Sequence, residues 1–131
     1  MEVKQGDIYW IDIPQHQTEG SEQFGRRPFV VMSRTGINNT AKTVIVVPMT
    51  TYNNQTQDQK LLDQQPPYRI VIPVYEMVKD ASCNSALSTS VVKTDQSRVI
   101  DKCRLGPKIG RLSDLAILSV GAGLAYIFDY R

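Results

Sequence analysis

Short apolar runs separated by polar segments dominate the first half of the chain. Ile8–Ile13 is rich in aromatic and β-branched residues and is followed directly by a proline, which predicts a strand. Phe29–Met32 is a continuous apolar run of strand length, which is typical of a central strand in a sheet. Thr43–Val47 predicts a second buried strand, which we expect to end at Pro48 because proline cannot donate a ladder hydrogen bond.

Polar stretches separate these runs and predict loops. Residues 14–27 contain two glycines and are polar, and the pair Asn38 and Asn39 has the composition of a turn. Residues 51–67 are rich in Asn and Gln, with two leucines as their only aliphatic residues. Such a composition also occurs in prion-like segments, but in a compact domain we favour a long surface loop, which is often functional.

The second half of the chain contains three further strand candidates. Tyr68–Val74 includes Pro73, which indicates a strand at the edge of a sheet, and Ala86–Val92 and Ser97–Ile100 are the other two. The period then changes, because small and apolar residues recur at helical i, i+3, i+4 spacing. These residues are Leu112, Leu115, Ala116, Ser119, Ala122 and Gly123.

Two residues mark the start of this helix and two glycines lie within it. Ser113 is a suitable N-cap, and Asp114 suits the positive end of the helix dipole. Gly121 and Gly123 each cost about 1 kcal/mol relative to alanine. We therefore expect them to allow close packing against another element, in this chain or on a partner subunit. Several strands followed by one helix predict a compact, barrel-like α+β domain.

Length and composition limit the class of protein. The 131 residues are about the size of one domain, spanning 1–131, and 41% hydrophobic with 21% charged residues is ordinary for a globular chain. No apolar run reaches about 18 residues, and the N-terminus lacks the apolar stretch of a signal peptide, so we expect no membrane partner and a cytoplasmic location. Two cysteines without CxxC spacing exclude a disulfide framework and a recognisable zinc site.

Charge is distributed unevenly along the sequence. The whole chain carries a formal charge of +2, but residues 93–111 hold six basic and two acidic residues, a net charge of +4, which leaves −2 elsewhere. A charged stretch is usually just a solvated surface. A local excess of this size also suits a polyanionic partner such as nucleic acid.

Several kinds of catalytic site are missing from the sequence. His16 is the only histidine, and no Walker, GxGxxG, GxSxG or HExxH motif occurs. The carboxylates do not cluster as metal ligands do, so we expect neither a metal nor a cofactor. Cleavage of RNA by its own 2′-hydroxyl needs few protein groups, because the substrate supplies the nucleophile. The protein then supplies proton transfer and donors for the charge of the phosphorane.

Two polar residues at predicted strand ends suit that reaction. Arg27 precedes the Phe29–Met32 strand, and its planar guanidinium can donate two hydrogen bonds to phosphate oxygens. Thr50 follows the Thr43–Val47 strand, and the ends of neighbouring strands lie close together. On spacing alone, a surface charge and a turn residue are the plainer interpretations of Arg27 and Thr50.

Four segments form ordered motifs that cover nearly the whole chain. They are Gly6-Asp7-Ile8-Tyr9-Trp10, Gly20-Ser21-Glu22-Gln23 with Arg27-Pro28, Val46-Val47-Pro48-Met49-Thr50-Thr51, and Asp95-Gln96-Ser97-Arg98-Val99-Ile100-Asp101. In this order, and with predicted strands between them, they resemble the MazF/PemK/Kid family of toxin endoribonucleases, often called mRNA interferases.

The resemblance implies a small SH3-like β-barrel with a C-terminal helix (the MazF/CcdB-like toxin fold), working as a homodimer. It implies metal-independent cleavage of single-stranded RNA that leaves 2′,3′-cyclic phosphate and 5′-hydroxyl ends. The family's catalytic arginine and threonine match Arg27 and Thr50. The resemblance also implies a MazE/PemI-like antitoxin, whose acidic, flexible tail lies across the RNA groove.

Further family positions match this chain less completely. Asp95 matches a general base of the Kid branch, but Ser21 stands where that branch has histidine and Lys93 where it has arginine. Lysine keeps the charge and loses the bidentate fork of arginine. Asp95 therefore stays open as a general base or as a carboxylate that braces strands or contacts a base. The expected RNA contacts are Ser21, Glu22, Gln23, Lys93 and Gln96.

Two aromatic residues and the end of the chain leave alternatives open. Tyr9 and Trp10 face opposite sides of one strand, so one belongs in the core, and the other either joins the core, stacks on a base or supports a dimer. Gyrase-poisoning toxins of the CcdB type end in Trp-Gly-Ile, whereas this chain ends in Phe-Asp-Tyr-Arg, which counts against gyrase binding. A catalytically inactive family member is the other alternative, and the presence of both Arg27 and Thr50 counts against it.

Overall fold

The computed structural model describes residues 2–20, 25–52 and 66–130. Strands β1–β8 and helices α1 and α2 follow one another in these ranges, with short 3-10 turns between several of them. The elements are β1 (Asp7–Ile13), β2 (Gly25–Val31), α1 (Thr35–Thr40), β3 (Thr43–Thr51), β4 (Arg69–Ile72), β5 (Met77–Lys79), β6 (Ser90–Lys93), β7 (Arg98–Asp101), β8 (Lys108–Leu112) and α2 (Asp114–Ile127). The predicted succession of strands and one final long helix is confirmed.

The strands form a curled antiparallel sheet in the order β4-β6-β3-β2-β1-β8-β5, and β7 pairs with the first half of β3. The predicted central strand is confirmed, because β2 lies between β1 and β3. The predicted edge strand is confirmed as well, since β4 ends the order and stops directly before Pro73. An antiparallel sheet with a helix following it in the chain agrees with the α+β prediction.

Side chains alternate along the strands and build two apolar clusters on the two faces of the sheet. We call the first the helix-covered cluster, because α2 contributes Ala116 and Val120 to it. We call the second the strand cluster, because β1, β2, β3 and β7 supply most of its members. The strand cluster consists of Val3, Tyr9, Ile11, Ile13, Phe29, Val31, Val44, Val46 and Ile100.

Pro48 does not end its strand, contrary to the prediction. Strand β3 continues to Thr51, and Pro48 pairs with Phe29 of β2. On its other side β3 changes partner at this point, because β7 pairs with it up to Val46 and β6 pairs with it from Met49. Proline therefore occupies the gap between two ladders, where its missing N–H removes no pairing on that side.

The expected turn at Asn38 and Asn39 is also wrong, because both residues lie in α1. The Asn38 side chain is buried, and its amide donates hydrogen bonds to the carbonyl oxygens of Ser33, at 2.9 Å, and Val3, at 3.2 Å. These bonds tie the helix to the N-terminal segment. Asparagine favours turns through such local bonds, but here the side chain is used to fasten a short helix.

Sequence patterning missed two strands and misplaced parts of others. Strand β5 has three residues, and β8 reads Lys-Ile-Gly-Arg-Leu, without the apolar density that marked other strands. A Cβ on Gly110 would lie 2.3 Å from the Val78 carbonyl oxygen, so glycine is what lets β8 approach β5. Residues 86–89 lie outside β6, and residues 25–27 belong to β2 and not to a loop.

Helix α2 begins as predicted. The Ser113 hydroxyl accepts a hydrogen bond from the Ala116 N–H at 3.1 Å, the geometry of an N-cap. The residues at helical spacing do not all face inward, because Ala116 and Gly123 are buried and Leu115 is 63% exposed. Gly123 packs closely within the chain, where an added Cβ would lie 3.0 Å from the side chains of Ile70 and Thr94.

Candidate nucleic-acid interface

Adjacent strands β2, β3, β6 and β4 carry the candidate residues across one face of the sheet. Thr50 pairs with Val91, and Lys93, two residues further along β6, points to the same face as Val91. Lys93 in turn pairs with Arg69 on β4. Side chains of paired residues share a face, so Thr50, Lys93 and Arg69 lie on one side of the sheet.

Arg27 lies on this face as well. Phe29 pairs with Pro48 in the antiparallel strands β2 and β3. Arg27 lies two residues before Phe29 and Thr50 two residues after Pro48, so both lie on the same side of that pair. A two-residue step preserves the face. Arg27 is exposed and lies within β2, where it pairs with Ile11, so the prediction that it precedes the strand is wrong. We call Arg27, Thr50, Lys93 and Arg69 the cationic face.

The charges on this face act on one another. Partial burial of Lys93 lowers the pKa of its ammonium group, and the positive charges of Arg69 and Arg27 lower that pKa further. The Asp95 carboxylate acts in the opposite direction. Two arginines are therefore close enough to disfavour the protonated lysine, and an anion bound here would relieve that repulsion.

Asp95 is engaged by Arg69. It lies in the 3-10 turn Thr94–Gln96, directly after β6. Arg69 Nε donates to Asp95 Oδ1 at 2.8 Å, and Arg69 Nη2 donates to Asp95 Oδ2 at 2.9 Å, a bidentate pair. Sequence reasoning left Asp95 open between general base and bracing carboxylate, and it missed Arg69. The sequence signal that could have identified Arg69 was a charged residue within the predicted edge strand Tyr68–Val74.

Helix α2 supports this end of the face. Thr94 is fully buried, and its N–H and hydroxyl both donate to the Tyr68 carbonyl oxygen. The Tyr68 ring stacks on Tyr126 of α2, with centroids 6.3 Å apart, and the Arg69 guanidinium lies 5.8 Å from the Tyr68 ring centre. The strand that carries Arg69 and the turn that carries Asp95 are thus fixed to the same helix.

Comparisons with known proteins place the chain in a family. Residues 4–128 match the model of the PemK-like, MazF-like toxins of type II toxin-antitoxin systems. The chain belongs to this toxin family. Endoribonuclease EndoA from Bacillus subtilis (strain 168) is 36% identical to it over 114 residues, which cover 87% of the chain and 84% of EndoA. The predicted resemblance is confirmed.

Solved structures confirm the predicted MazF-like fold of the toxin, a small SH3-like barrel with a C-terminal helix. A MazF crystal structure from Deinococcus radiodurans matches with a TM-score of 0.69 at 19% identity, covering 98% of each chain. A mycobacterial endoribonuclease in complex with its cognate antitoxin matches with a TM-score of 0.67 at 17% identity, covering 98% of this chain and 97% of that one. At these identities the likeness concerns the fold.

The two aromatic residues of β1 have different environments in the toxin. Tyr9 is buried in the strand cluster, and burial, followed by the Asp7 carboxylate, raises the pKa of its hydroxyl to about 12. Trp10 is half-buried, and the Arg26 guanidinium stacks over its ring at 4.7 Å from the centroid. Tyr9 is therefore a buried core residue, and Trp10 packs from a partly exposed position against the helix-covered cluster. Trp10 and Arg26 point to the opposite face from Arg27.

The predicted RNA contacts other than Lys93 are Ser21, Glu22, Gln23 and Gln96. Ser21, Glu22 and Gln23 lie outside the described residues. Gln96 is half-buried in the turn beside Asp95. His16, the only histidine of the sequence, lies exposed in the 3-10 turn Gln15–Gln17.

The described residues contain neither a metal-binding cluster nor a membrane-spanning helix. Within ranges 2–20, 25–52 and 66–130, no group of three or more His, Cys, Asp or Glu side chains is arranged to hold a metal ion. None of the helices in those ranges has the length and apolar character needed to cross a membrane.

Proposed function

We propose that this toxin is a sequence-specific, metal-independent endoribonuclease that cleaves single-stranded RNA, its messenger RNA targets included, in the cytoplasm. The observation that carries the proposal is the cationic face, where Arg27, Thr50 and Lys93 point to one side of adjacent strands. Family membership and the 36% identity to an endoribonuclease support it. The proposal treats 1–131 as one toxin domain.

The substrate supplies the nucleophile in the proposed reaction. The 2′-oxygen of one nucleotide attacks the adjacent phosphorus and loses its proton to a base. The bond from phosphorus to the 5′-oxygen breaks, and that oxygen takes up a proton. The products are a 2′,3′-cyclic phosphate and a 5′-hydroxyl end, and no water or metal is consumed.

Arg27 and Thr50 are the principal catalytic residues of this proposal. The Arg27 guanidinium donates to the phosphorane oxygens, where negative charge grows, and takes part in proton transfer. The Thr50 hydroxyl donates a hydrogen bond to the scissile phosphate. Lys93 adds positive charge beside them. Asp95 ranks after Arg27 and Thr50 as a catalytic candidate, because both of its oxygens already accept hydrogen bonds from Arg69.

Two protein partners complete the proposal. The first is an acidic antitoxin segment that lies across the cationic face, because opposite charge favours such a contact. The second is another copy of the toxin. Leu115 and Leu118 on α2 are 63% and 71% exposed, and Phe128 just beyond it is 70% exposed, which is apolar surface that a homodimer would cover. RNA contacts from Ser21, Glu22, Gln23 and Gln96 remain part of the proposal.

Cleavage of a long single-stranded RNA in excess EDTA tests the activity. We expect discrete cuts with cyclic-phosphate ends from the wild-type protein and at least about a 100-fold slower cleavage by Arg27→Ala or Thr50→Ala. Arg34→Ala is the matched control, since Arg34 is exposed and precedes α1, beside the opposite end of β3 from Thr50. Equal cutting by all four proteins would contradict the proposal.

The alternative of an inactive or gyrase-binding CcdB-like toxin predicts no cutting at all. It is not favoured, because the Bacillus subtilis relative that is 36% identical to this chain is an endoribonuclease. Inhibition of DNA gyrase by wild-type protein that leaves RNA intact would establish it.

A further inference from the structure

We propose that Arg69 is a further phosphate-binding residue of the RNA site, held in its binding orientation by Asp95. This inference rests on the proposed function and adds to it a contact outside the family motifs quoted above. Arg69 lies on β4 opposite Lys93, and its side chain points to the same face as Thr50 and Arg27. The basic surface therefore extends to the edge strand of the sheet.

The bidentate pair leaves Arg69 able to bind an anion. A guanidinium carries five N–H donors, and Asp95 takes one from Nε and one from Nη2. Three donors remain, including both on Nη1. The side chain of Arg69 is 28% exposed, so these donors can reach a ligand without breaking the pair.

The surroundings of Arg69 also fix its orientation. Asp95 holds one edge of the guanidinium, and the ring of Tyr68, itself stacked on Tyr126, lies against the same group. An arginine that is already ordered loses less side-chain entropy when it binds phosphate. Removal of Asp95 therefore weakens the orientation of Arg69 but leaves its charge on the face.

Strand spacing assigns Arg69 to a different phosphate from Arg27. The two residues are separated by three strand-to-strand steps, from β2 across β3 and β6 to β4. At about 4.8 Å a step, this is further than one phosphate group extends. Arg27 and Thr50 then contact the scissile phosphate, and Arg69 contacts a neighbouring phosphate of the same strand. Its contribution is to binding and register more than to the chemical step.

Salt-dependent binding of an uncleavable probe tests this role. The probe is a random-sequence RNA oligonucleotide that is 2′-O-methylated throughout, so that binding is measured whether or not the protein cuts RNA. We expect Arg69→Ala to weaken binding about tenfold and to reduce the slope of log K against log salt by about 0.7. Arg69→Lys keeps the charge and should keep the slope. Arg34→Ala should match the wild type.

A double variant separates phosphate binding from a purely structural pair. If Arg69 only braces Asp95, Arg69→Ala adds nothing in an Asp95→Ala background. If Arg69 binds phosphate, Asp95→Ala alone keeps the salt slope of the wild type, and the double variant shows the same reduction in slope as Arg69→Ala. Thermal melting of each variant verifies folding, and the pair is exposed enough that its removal should change the melting temperature little.

The outcomes distinguish this inference from the proposed function. Wild-type binding that depends on Arg69, without cleavage of any RNA, supports the inference and rejects the endoribonuclease activity. Cleavage with unchanged affinity and slope in Arg69→Ala, or a double variant equal to Asp95→Ala, overturns the inference and leaves the activity intact. Failure of the wild-type protein to bind the probe also overturns it.

Discussion

Strands β2 and β3 present the same face of the sheet in two very different ways. Near the start of β3 this face is filled by Phe29, Val31, Val44 and Val46, which are all buried in the strand cluster. At the other end of the same strands, the same side-chain positions carry exposed Arg27 and half-buried Thr50. The alternation that builds the core therefore also sets the orientation of the site residues, and stability and chemistry occupy opposite ends of one surface.

Because the two ends of the face differ in this way, substitutions two residues apart on β2 should affect either RNA cleavage or stability. Arg27→Ala should affect cleavage. We expect about a 100- to 1000-fold loss of RNA cleavage, which is the cost of one donor to a developing oxyanion. The melting temperature should change little, because Arg27 is exposed. Single-turnover cleavage and a thermal melt measure the two quantities. A fall in stability that accounts for the lost activity would contradict the comparison.

Phe29→Ala is the opposite case on the same strand and face. Phe29 is fully buried in the strand cluster, and removal of a buried phenyl ring costs about 3–5 kcal/mol. That is a large part of the stability of a domain of this size. Urea unfolding measures the loss. The variant protein that remains folded should cleave RNA at a rate near the wild type, since the fully buried Phe29 ring offers no surface to RNA. A loss of about 100-fold at constant folded fraction would contradict this.

A smaller effect follows from Lys93, at the boundary between the two ends. In the folded chain its pKa lies below the ordinary value of 10.5, so the protonated lysine is disfavoured by folding. In the window between the lowered pKa and 10.5, the unfolded chain binds more protons than the folded one. The contribution of Lys93 to the free energy of unfolding therefore rises with pH in that window. Lys93→Met should be more stable than the wild type at neutral pH and lack this rise.

Unfolding in urea at several pH values measures the effect, with Lys79→Met, at an exposed position of β5, as the control. Burial raises the pKa of Tyr9 to about 12, and because Tyr9 is present in both proteins its contribution cancels in the difference. The substitution should also weaken RNA binding, whereas Lys93→Arg should retain binding to a higher pH than the wild type, because arginine stays charged. If the free energy of unfolding depends on pH in the same way for Lys93→Met and the wild type, folding does not disfavour the protonated lysine.

The core end of this surface was predictable from local pattern, and the site end only in part. Phe29–Met32 is apolar in sequence and buried in the structure, and the Ser113 cap needs only its neighbours three residues away. Arg27 and Thr50 could be proposed as a pair because ordered motifs resemble a family. The Arg69–Asp95 pair joins residues 26 positions apart through strand pairing. No local period carries that information.

Pro48 shows, within one strand, the same difference between what local sequence predicts and what the assembled sheet determines. Its residue type predicts a strand end, and the prediction fails because two different strands, β7 and β6, share one side of β3. Where a proline falls relative to such a change of partner is a property of the assembled sheet. The exposed Leu115 is similar, since helical spacing gives the period but the packed neighbours decide which residues face inward.

The two glycines of α2 offer the smallest test, because the helix braces the site end of the surface. A Cβ on Gly123 would lie 3.0 Å from the side chains of Ile70 and Thr94, which neighbour Arg69 and Asp95 in the sequence. A Cβ on Gly121 would have no described atom outside its own helix within 4 Å. Gly121→Ala should stabilise the protein by up to about 1 kcal/mol through helix propensity. Gly123→Ala should offset that gain by displacing β4 and the turn, and should weaken RNA binding about twofold to threefold. Melting temperatures and probe affinities of the two variants, measured side by side, decide the point: equal gains in stability with equal affinities would mean that α2 packs loosely against the site and does not fix its geometry.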